Sequence, residues 1–315
     1  MDTVVDGKIA GKTIREYCRG NLGFSSSMLK KLKFSENGIL INGSFVTVRH
    51  ILKEGEILSL ALEDKEEDTS PYIIPVDIPI EILYSDKDLT AVNKPPNMPA
   101  HPSFGHRDDT VANALAYLNR GKPYVFRPVN RLDRDTSGVM LVANNKTAAY
   151  TLYKSMTGGL IKKTYIALLE GHLNKKSGVI ESYMRRCEDS IIKREECPSG
   201  EGKYARTEYR VMAESERYSL VEAHPETGRT HQLRLHFASS GAPIVGDSLY
   251  GNPSEFIDRQ ALHASEVRIK LSPDSNELTV KAPLPDDIEK LCRKFFKCRS
   301  VMQTKGILRT TKQKI

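Results

Sequence analysis

The sequence predicts an α+β protein, rich in antiparallel strands and preceded by a small N-terminal α/β module. Three observations predict it. Short apolar runs recur on either side of polar turns, as where Ile80-Glu81-Ile82-Leu83-Tyr84 meets Leu89-Thr90-Ala91-Val92 across Ser85-Asp86-Lys87-Asp88, and paired runs of this kind form hairpins. Segments with apolar residues at helical spacing lie between them, such as 110–118 and 146–156. One acidic, apolar-poor stretch at 63–72, with Pro71 near its end, divides a short leading segment from a long one and reads as a solvated, self-repelling linker.

At 315 residues the chain can form two domains with a well-buried core in at least one. Its 47 Lys+Arg against 40 Asp+Glu give a net charge of +7, a moderate lean toward polyanions. No run approaches the ~18 to 20 apolar residues that a membrane span needs. The start, Met1-Asp2-Thr3-Val4-Val5-Asp6, lacks the basic-then-apolar order of a secretory signal. A cytoplasmic monomer with no membrane partner is expected. The five cysteines (Cys18, Cys187, Cys197, Cys292, Cys298) are odd in number and form no Cys-x-x-Cys, which favours free thiols over a disulfide frame or a zinc site.

In the leading module, residues 8–62, Thr13-Ile14-Arg15-Glu16-Tyr17-Cys18 predicts a short helix. Ser25-Ser26 can cap a second one over Met28 to Lys33, with Leu29 and Leu32 on one face and Lys30, Lys31 and Lys33 on the other. Residues 38–46 read as strand, Asn42-Gly43 turn and strand, and 55–62 as a closing strand. Gly7 to Gly11-Lys12-Thr13 resembles a phosphate loop superficially, but it is one residue short and no apolar strand precedes it.

In the long segment, Lys94 ends the second strand of the first hairpin, before Pro95 and Pro96, which cannot extend a ladder. A helix over 110–118, a helix over 146–156, a basic strand over 161–169, antiparallel strands from 178 to 210 and a strand over 218–223 follow, with a late strand over 261–269. From Arg293 the chain is basic with no acidic residue and reads as a solvated tail, 293–315.

Two dense polar stretches interrupt this pattern. Residues 127–138 hold Arg127, Arg131, Asp133, Arg134 and Asp135 and run through Gly138 into the apolar strand Val139-Met140-Leu141-Val142-Ala143. Taken alone, such a loop is equally a site or a solvated salt-bridged turn. Residues 227–238, Thr-Gly-Arg-Thr-His-Gln-Leu-Arg-Leu-His-Phe-Ala, form a helix with Leu233 and Phe237 toward the core if Thr230 caps it. His231 and His236 are five apart, on poorly matched faces for joint metal ligation, and no metal is expected.

Together these segments resemble the RluA-type pseudouridine synthases. The matching residues are Arg131-Leu132-Asp133-x-x-Thr136-Ser137-Gly138, Lys163-x-Tyr165-x-Ala167, Ala205-x-Thr207-x-Tyr209, and Thr227-Gly228-Arg229-Thr230-His231-Gln232-Leu233-Arg234 through Pro243-Ile244-x-Gly246-Asp247-x-Leu249-Tyr250-Gly251, with Asn93-Lys94-Pro95 and Leu262-His263-Ala264. The likeness spans about residues 73–290, and the catalytic domain is placed at 73–292. Asn130 stands where the family usually has a histidine, and Ala242 replaces another. The leading module resembles the small RNA-binding domain named after ribosomal protein S-four, although Ser26-Ser27-Met28 stands where an arginine often opens the second helix.

The resemblance implies the α+β pseudouridine synthase fold, with a mixed, largely antiparallel sheet, and an isomerase that needs no cofactor, because its reaction breaks the bond from ribose to the uracil nitrogen, turns the base and rejoins it through carbon five. It implies Asp133 as the catalytic carboxylate, Arg234 as its partner, Tyr165 as the aromatic stacking on the flipped uracil, and Arg131 as the arginine entering the RNA. Arg134, Lys163 and Arg229 are candidate phosphate contacts, as are Lys30, Lys31 and Lys33 in the leading module. A water-adding glycosidase would want a second cooperating carboxylate; Asp135, two residues on, more commonly makes local turn bonds. Large-subunit ribosomal RNA is the expected substrate, with transfer RNA or a non-catalytic ribosome-assembly role as alternatives.

Overall fold

The computed structural model describes residues 1–22, 24, 26–62, 69, 70 and 72–296. Most of the expected linker, Ser25 and everything after Phe296, including Cys298, lie outside these residues.

The leading module contains β1 (Asp2–Val4), α1 (Ile14–Glu16) running into a π-helical turn (Tyr17–Asn21), α2 (Ser26–Phe34), β2 (Ile39–Ile41), β3 (Ser44–Phe45) and β4 (Ile57–Leu60). Its antiparallel sheet has the order β1-β4-β2-β3. Thr13 and Glu16 cap α1 reciprocally, each side chain taking a backbone N–H of the other. Asn42 and Gly43 both adopt left-handed φ, 48° and 79°, which the tight β2–β3 hairpin demands of both turn residues. Leu29 and Leu32 of α2 are buried with Ile14, Cys18, Leu52 and Leu58 in a core of their own. Strand β1 lies before the expected boundary at residue 8: a three-residue strand carries no readable period, and it forms because β4 offers a free edge.

The long segment contains β5 (Glu81–Ser85), β6 (Leu89–Lys94), α3 (Val111–Leu118), β7 (Ser137–Ala143), α4 (Lys146–Thr157), β8 (Ile161–Glu170), β9 (Ser177–Arg186), β10 (Arg194–Cys197), β11 (Lys203–Glu214), β12 (Tyr218–Pro225), α5 (Gln232–Ser239), β13 (Leu262–Ile269), β14 (Leu278–Lys281) and α6 (Asp286–Phe296). The strands form one sheet in the order β10-β9-β11-β12-β8-β13-β7-β6-β5, with β14 added to β13. Among the described pairings, β13 with β7 is parallel and the rest are antiparallel, so the sheet is mixed and largely antiparallel as expected.

Strand β7 is buried at every position. Val139, Leu141 and Ala143 pack with Ala148 and Leu152 of α4 on one face, while Met140 and Val142 join the core that holds Val111, Leu115, Phe237 and Ile288 on the other. A strand covered on both faces has no polar side to alternate with, which is why its sequence is a continuous apolar run.

Helix α6 reaches Phe296, so residues 293–296, expected to open the tail, are helical instead. Ile288, Leu291, Cys292 and Phe296 fall on one buried face, and Phe295 stacks on Tyr218 with ring centroids 4.0 Å apart. The two cores meet at α4: Tyr150 packs against the leading module, its hydroxyl donating to the Asn21 carbonyl at 2.9 Å and its ring edge-on to Phe24. Among the described residues, no helix is long and apolar enough to cross a membrane.

Candidate active site

The polar loop that feeds β7 is clamped from three sides. Lys94, at the end of β6, is fully buried, and its Nζ donates to the carbonyls of Pro95 (2.7 Å), Met98 (2.8 Å) and Arg134 (2.7 Å). Burial pulls its pKa down to about 7 against the opposing charge of Asp135, while three carbonyl acceptors require the three N–H donors that only the ammonium form carries. Arg259 binds Asp287 of α6 through two nitrogens, at 2.8 and 2.9 Å, and gives Nη1 to the Asp135 carbonyl at 3.0 Å. Gln260 donates to Thr136 Oγ1 at 3.2 Å, and the Thr136 amide closes a turn onto the Asp133 carbonyl at 3.1 Å.

At Gly138, φ is +112° and a Cβ would lie 2.1 Å from the Ala264 carbonyl oxygen, so glycine alone allows β7 to meet β13 here. Asn130 extends the β7 ladder by its side chain. Its Oδ1 accepts from the Leu141 amide at 2.7 Å and its Nδ2 donates to the Val139 carbonyl at 3.3 Å, an amide imitating a peptide group.

The result is that Asp133 is held on a rigid loop, one-quarter exposed, facing α5. Its Oδ2 receives Nη1 of Arg234 at 3.5 Å. The other edge of the guanidinium forms a two-point fork on Asp247, Nε to Oδ2 and Nη2 to Oδ1, both 2.7 Å. Asp247 is itself buried and accepts from the amides of Leu249 and Tyr250. Arg234 thus bridges two carboxylates, one fully engaged and one left with free oxygen lone pairs. Burial works against the guanidinium's charge, but Asp247 and Asp133 outweigh it and raise its pKa. The Tyr250 ring lies 5.2 Å from the Arg234 guanidinium carbon, and its hydroxyl contacts His231 Nδ1 at 3.0 Å.

Thr230 does not cap α5. The N-cap is His231 in a left-handed conformation, φ 59°, with no side-chain cap bond. Gln232 folds back instead, its Oε1 accepting from the Arg229 amide and the Thr227 hydroxyl. This ties the turn to β11, because Gln232 Nε2 also donates to the Arg206 carbonyl at 2.9 Å.

Tyr165 of β8 is buried, and burial together with the charge of Asp133 pushes its hydroxyl pKa up, so it stays a neutral phenol. Lys163, two residues before it on β8, is also buried. Its Nζ donates to the Thr227 carbonyl at 3.3 Å, and burial lowers its pKa to about 8, a setting that suits positioning of the 227–231 turn more than an open phosphate contact. Arg131 and Arg229 are exposed, the latter donating Nε to the Tyr204 carbonyl. Arg134 forks onto Asp135 through Nε and Nη2, each at 3.0 Å, which gives Asp135 a local partner away from the Asp133–Arg234 pair. Lys30, Lys31 and Lys33 lie on the exposed face of α2 in the other core, apart from this cluster.

A family model described as RNA pseudouridylate synthase matches residues 88–239. The Bacillus subtilis RNA pseudouridine synthase YjbO is 36% identical over 283 residues, covering 89% of this chain and 98% of that relative. This chain belongs to the RNA pseudouridylate synthase family. Ribosomal large subunit pseudouridine synthase D of Borreliella burgdorferi is 35% identical over 246 residues, 75% of this chain and 74% of its own. Among solved structures, Human RNA Pseudouridylate Synthase Domain Containing 1 aligns with a TM-score of 0.54 at 31% identity, over 65% of this chain and 83% of that one.

The synthase is an isomerase of the RluA-like type, as the motifs implied. Four residues of the site carry no role that the sequence assigns: Asp247, Tyr250, Lys94 and Arg259. The first three fell inside recognisable motifs, and Asp247-x-Leu249-Tyr250 was a signal, but only folding brings Asp247 against Arg234. Arg259 had no local signal. Among the described residues no group of three or more His, Cys, Asp or Glu is placed to hold a metal, and Cys18, Cys187, Cys197 and Cys292 are free thiols.

Proposed function

We propose that this synthase converts uridine to pseudouridine in large-subunit ribosomal RNA, with Asp133 acting at the ribose. The observation that carries the residue assignment is the Arg234 bridge: its fork on buried Asp247 fixes one end, so Nη1 is presented to Asp133 on a preorganised loop. The N1–C1′ bond breaks, with Asp133 either attacking C1′ or removing the 2′ proton. The freed uracil turns against Tyr165 and C5 bonds to C1′, which breaks the Asp133–C1′ ester in the first case or returns the 2′ proton from Asp133 in the second; the C5 proton then leaves and N1 gains one, so the product is an isomer and nothing else is consumed. Arg131 stands at the exposed mouth of the loop, where it can hold the extruded nucleotide out of its stack. Two relatives named ribosomal large subunit pseudouridine synthase D, from Borreliella burgdorferi and Zymomonas mobilis, support ribosomal over transfer RNA. The leading module, with Lys30, Lys31 and Lys33 on its exposed face, serves as a second RNA contact.

The test is incubation with large-subunit ribosomal RNA and with transfer RNA, mapping of pseudouridine in each and assay for free uracil. Pseudouridine in the ribosomal RNA with no free base is expected. Asp133→Asn should slow the reaction by roughly three orders of magnitude, the scale of losing a covalent or acid–base catalyst, with folding and RNA binding retained. Wild-type turnover in that variant would remove Asp133 from this role.

A further inference from the structure

The β9–β10 hairpin holds one like-charged rung in its ladder. In its ladder, Arg185 stands directly opposite Glu195, and Arg186 directly opposite Arg194. The first is a matched pair, with Arg185 Nε on Glu195 at 2.7 Å and Nη1 on Glu201 at 2.7 Å. The second sets two guanidinium groups against each other, an arrangement that weakens a ladder unless an anion lies between them. Among the described residues neither Arg186 nor Arg194 forms an ion pair with a carboxylate; Arg194 Nη1 touches only the Lys193 carbonyl, at 3.5 Å.

The alternation of the strand decides where this pair points. Arg186 shares a face with Ser182 and Met184, which meet His236 and Leu235 of α5, so the like-charged pair stands on the face turned toward the active-site helix. Arg186 and Arg194, with the neighbouring Arg185, line a cleft of about 650 Å³ together with Arg131, Lys203 and Arg229. Glu201 is the one carboxylate in that lining, and Arg185 already holds it. Arg131 is two residues from Asp133, so the cleft is continuous with the catalytic loop. The backbone of Arg194 is fixed, its N–H donating to the Tyr250 hydroxyl at 2.7 Å under Arg234.

We propose that this cleft is a phosphate-binding subsite that grips the RNA backbone beside the target uridine, with Arg186 and Arg194 closing on one phosphate between them. Two planar forks match phosphate oxygens, and the anion removes the repulsion that the empty ladder carries. The subsite rests on RNA being the substrate.

Arg194→Glu tests it, because a glutamate opposite Arg186 completes the ladder's charge pairing while destroying the phosphate grip. With transcripts of large-subunit ribosomal RNA and of transfer RNA as probes, the preferred transcript should bind roughly 10- to 100-fold more weakly near ~0.1 M salt, and the slope of log affinity against log salt should fall by about one to two. The single-turnover rate at saturating RNA should stay within about threefold, and the thermal midpoint should hold or rise. Arg217→Glu, at an exposed side chain paired with Glu170 outside the cleft lining, makes the same change in net charge and should cost much less binding. Arg194→Lys, which keeps the charge and loses the fork, should lose less affinity than Arg194→Glu but more than Arg217→Glu. Binding by Arg194→Glu that matches wild type, or that falls no further than in Arg217→Glu, overturns the subsite. If Arg194→Glu melts lower, Arg186→Gln decides: weakened RNA binding upholds the subsite and wild-type binding overturns it. Wild-type protein that binds neither transcript would remove the RNA substrate itself, whereas wild-type binding with unchanged variants removes only the subsite.

Discussion

At the scale of single residues, the site is built by side chains that replace backbone or complete it. Asn130 was the one position in the loop whose identity the motifs left unexplained, and it proves to be a ladder rung on β7, bonded to Leu141 and Val139. Its neighbour in sequence, Arg131, remains free to face solvent. Two buried histidines make a pH-dependent contribution of the opposite kind. His236 sits between the hydroxyls of Thr207 and Ser182, and His263 between Ser137 and the Ala282 carbonyl. Burial lowers both rings from 6.5 to about 4. Between those values the unfolded chain binds more protons than the folded one, so stability rises with pH across about 4 to 6.5 and is lost as pH falls through it. Each ring should cost about 2 kcal/mol of stability by pH 5 relative to pH 7. Urea unfolding at the two pH values should show this, with a shallower dependence in His236→Asn; an unchanged dependence would mean that His236 is not the source.

At the scale of elements, β7 and α5 show how far pattern reading reaches. The buried run of β7 was legible because both faces are covered, and Gly138 was legible as a turning point. Its partner was not, since the clash that demands glycine is with Ala264, 126 positions later. Gly138→Ala must separate β7 from β13 or strain a left-handed residue, at roughly 2 to 5 kcal/mol. A fall of about 5 °C or more in the thermal midpoint is expected, together with lost activity because Asp133 is carried by the same loop; a wild-type midpoint would show that the strands part easily. For α5, the helical spacing of Leu233 and Phe237 was correct, but the cap was not Thr230. Gln232 and the left-handed His231 define the start, and they do so through bonds to β11 and to Tyr250 that local sequence does not reveal.

At the scale of the molecule, the leading module and the catalytic core have separate hydrophobic clusters joined through Tyr150. A module with its own core can be removed without opening the other. Deleting residues 1–65 should therefore weaken RNA binding by about tenfold or more while the single-turnover rate at saturating RNA changes less than about threefold. Unchanged affinity would leave the module as a packing appendage. The sequence by itself determined the periodic elements, the mixed, largely antiparallel sheet and, through motifs in register, the family and the identities of Asp133, Tyr165 and Arg234 as candidates. The elements are properties of spacing and residue type, which local sequence carries; the family, its mixed sheet and these candidates came through the resemblance of the motifs. The tertiary structure alone decided that Arg234 is divided between Asp133 and Asp247, that Lys94 and Arg259 hold the loop by its carbonyls, that Asp135 turns to Arg134, and that Arg186 faces Arg194 across a ladder. Each of these depends on a contact between elements whose distance and orientation are set by sheet order and strand register.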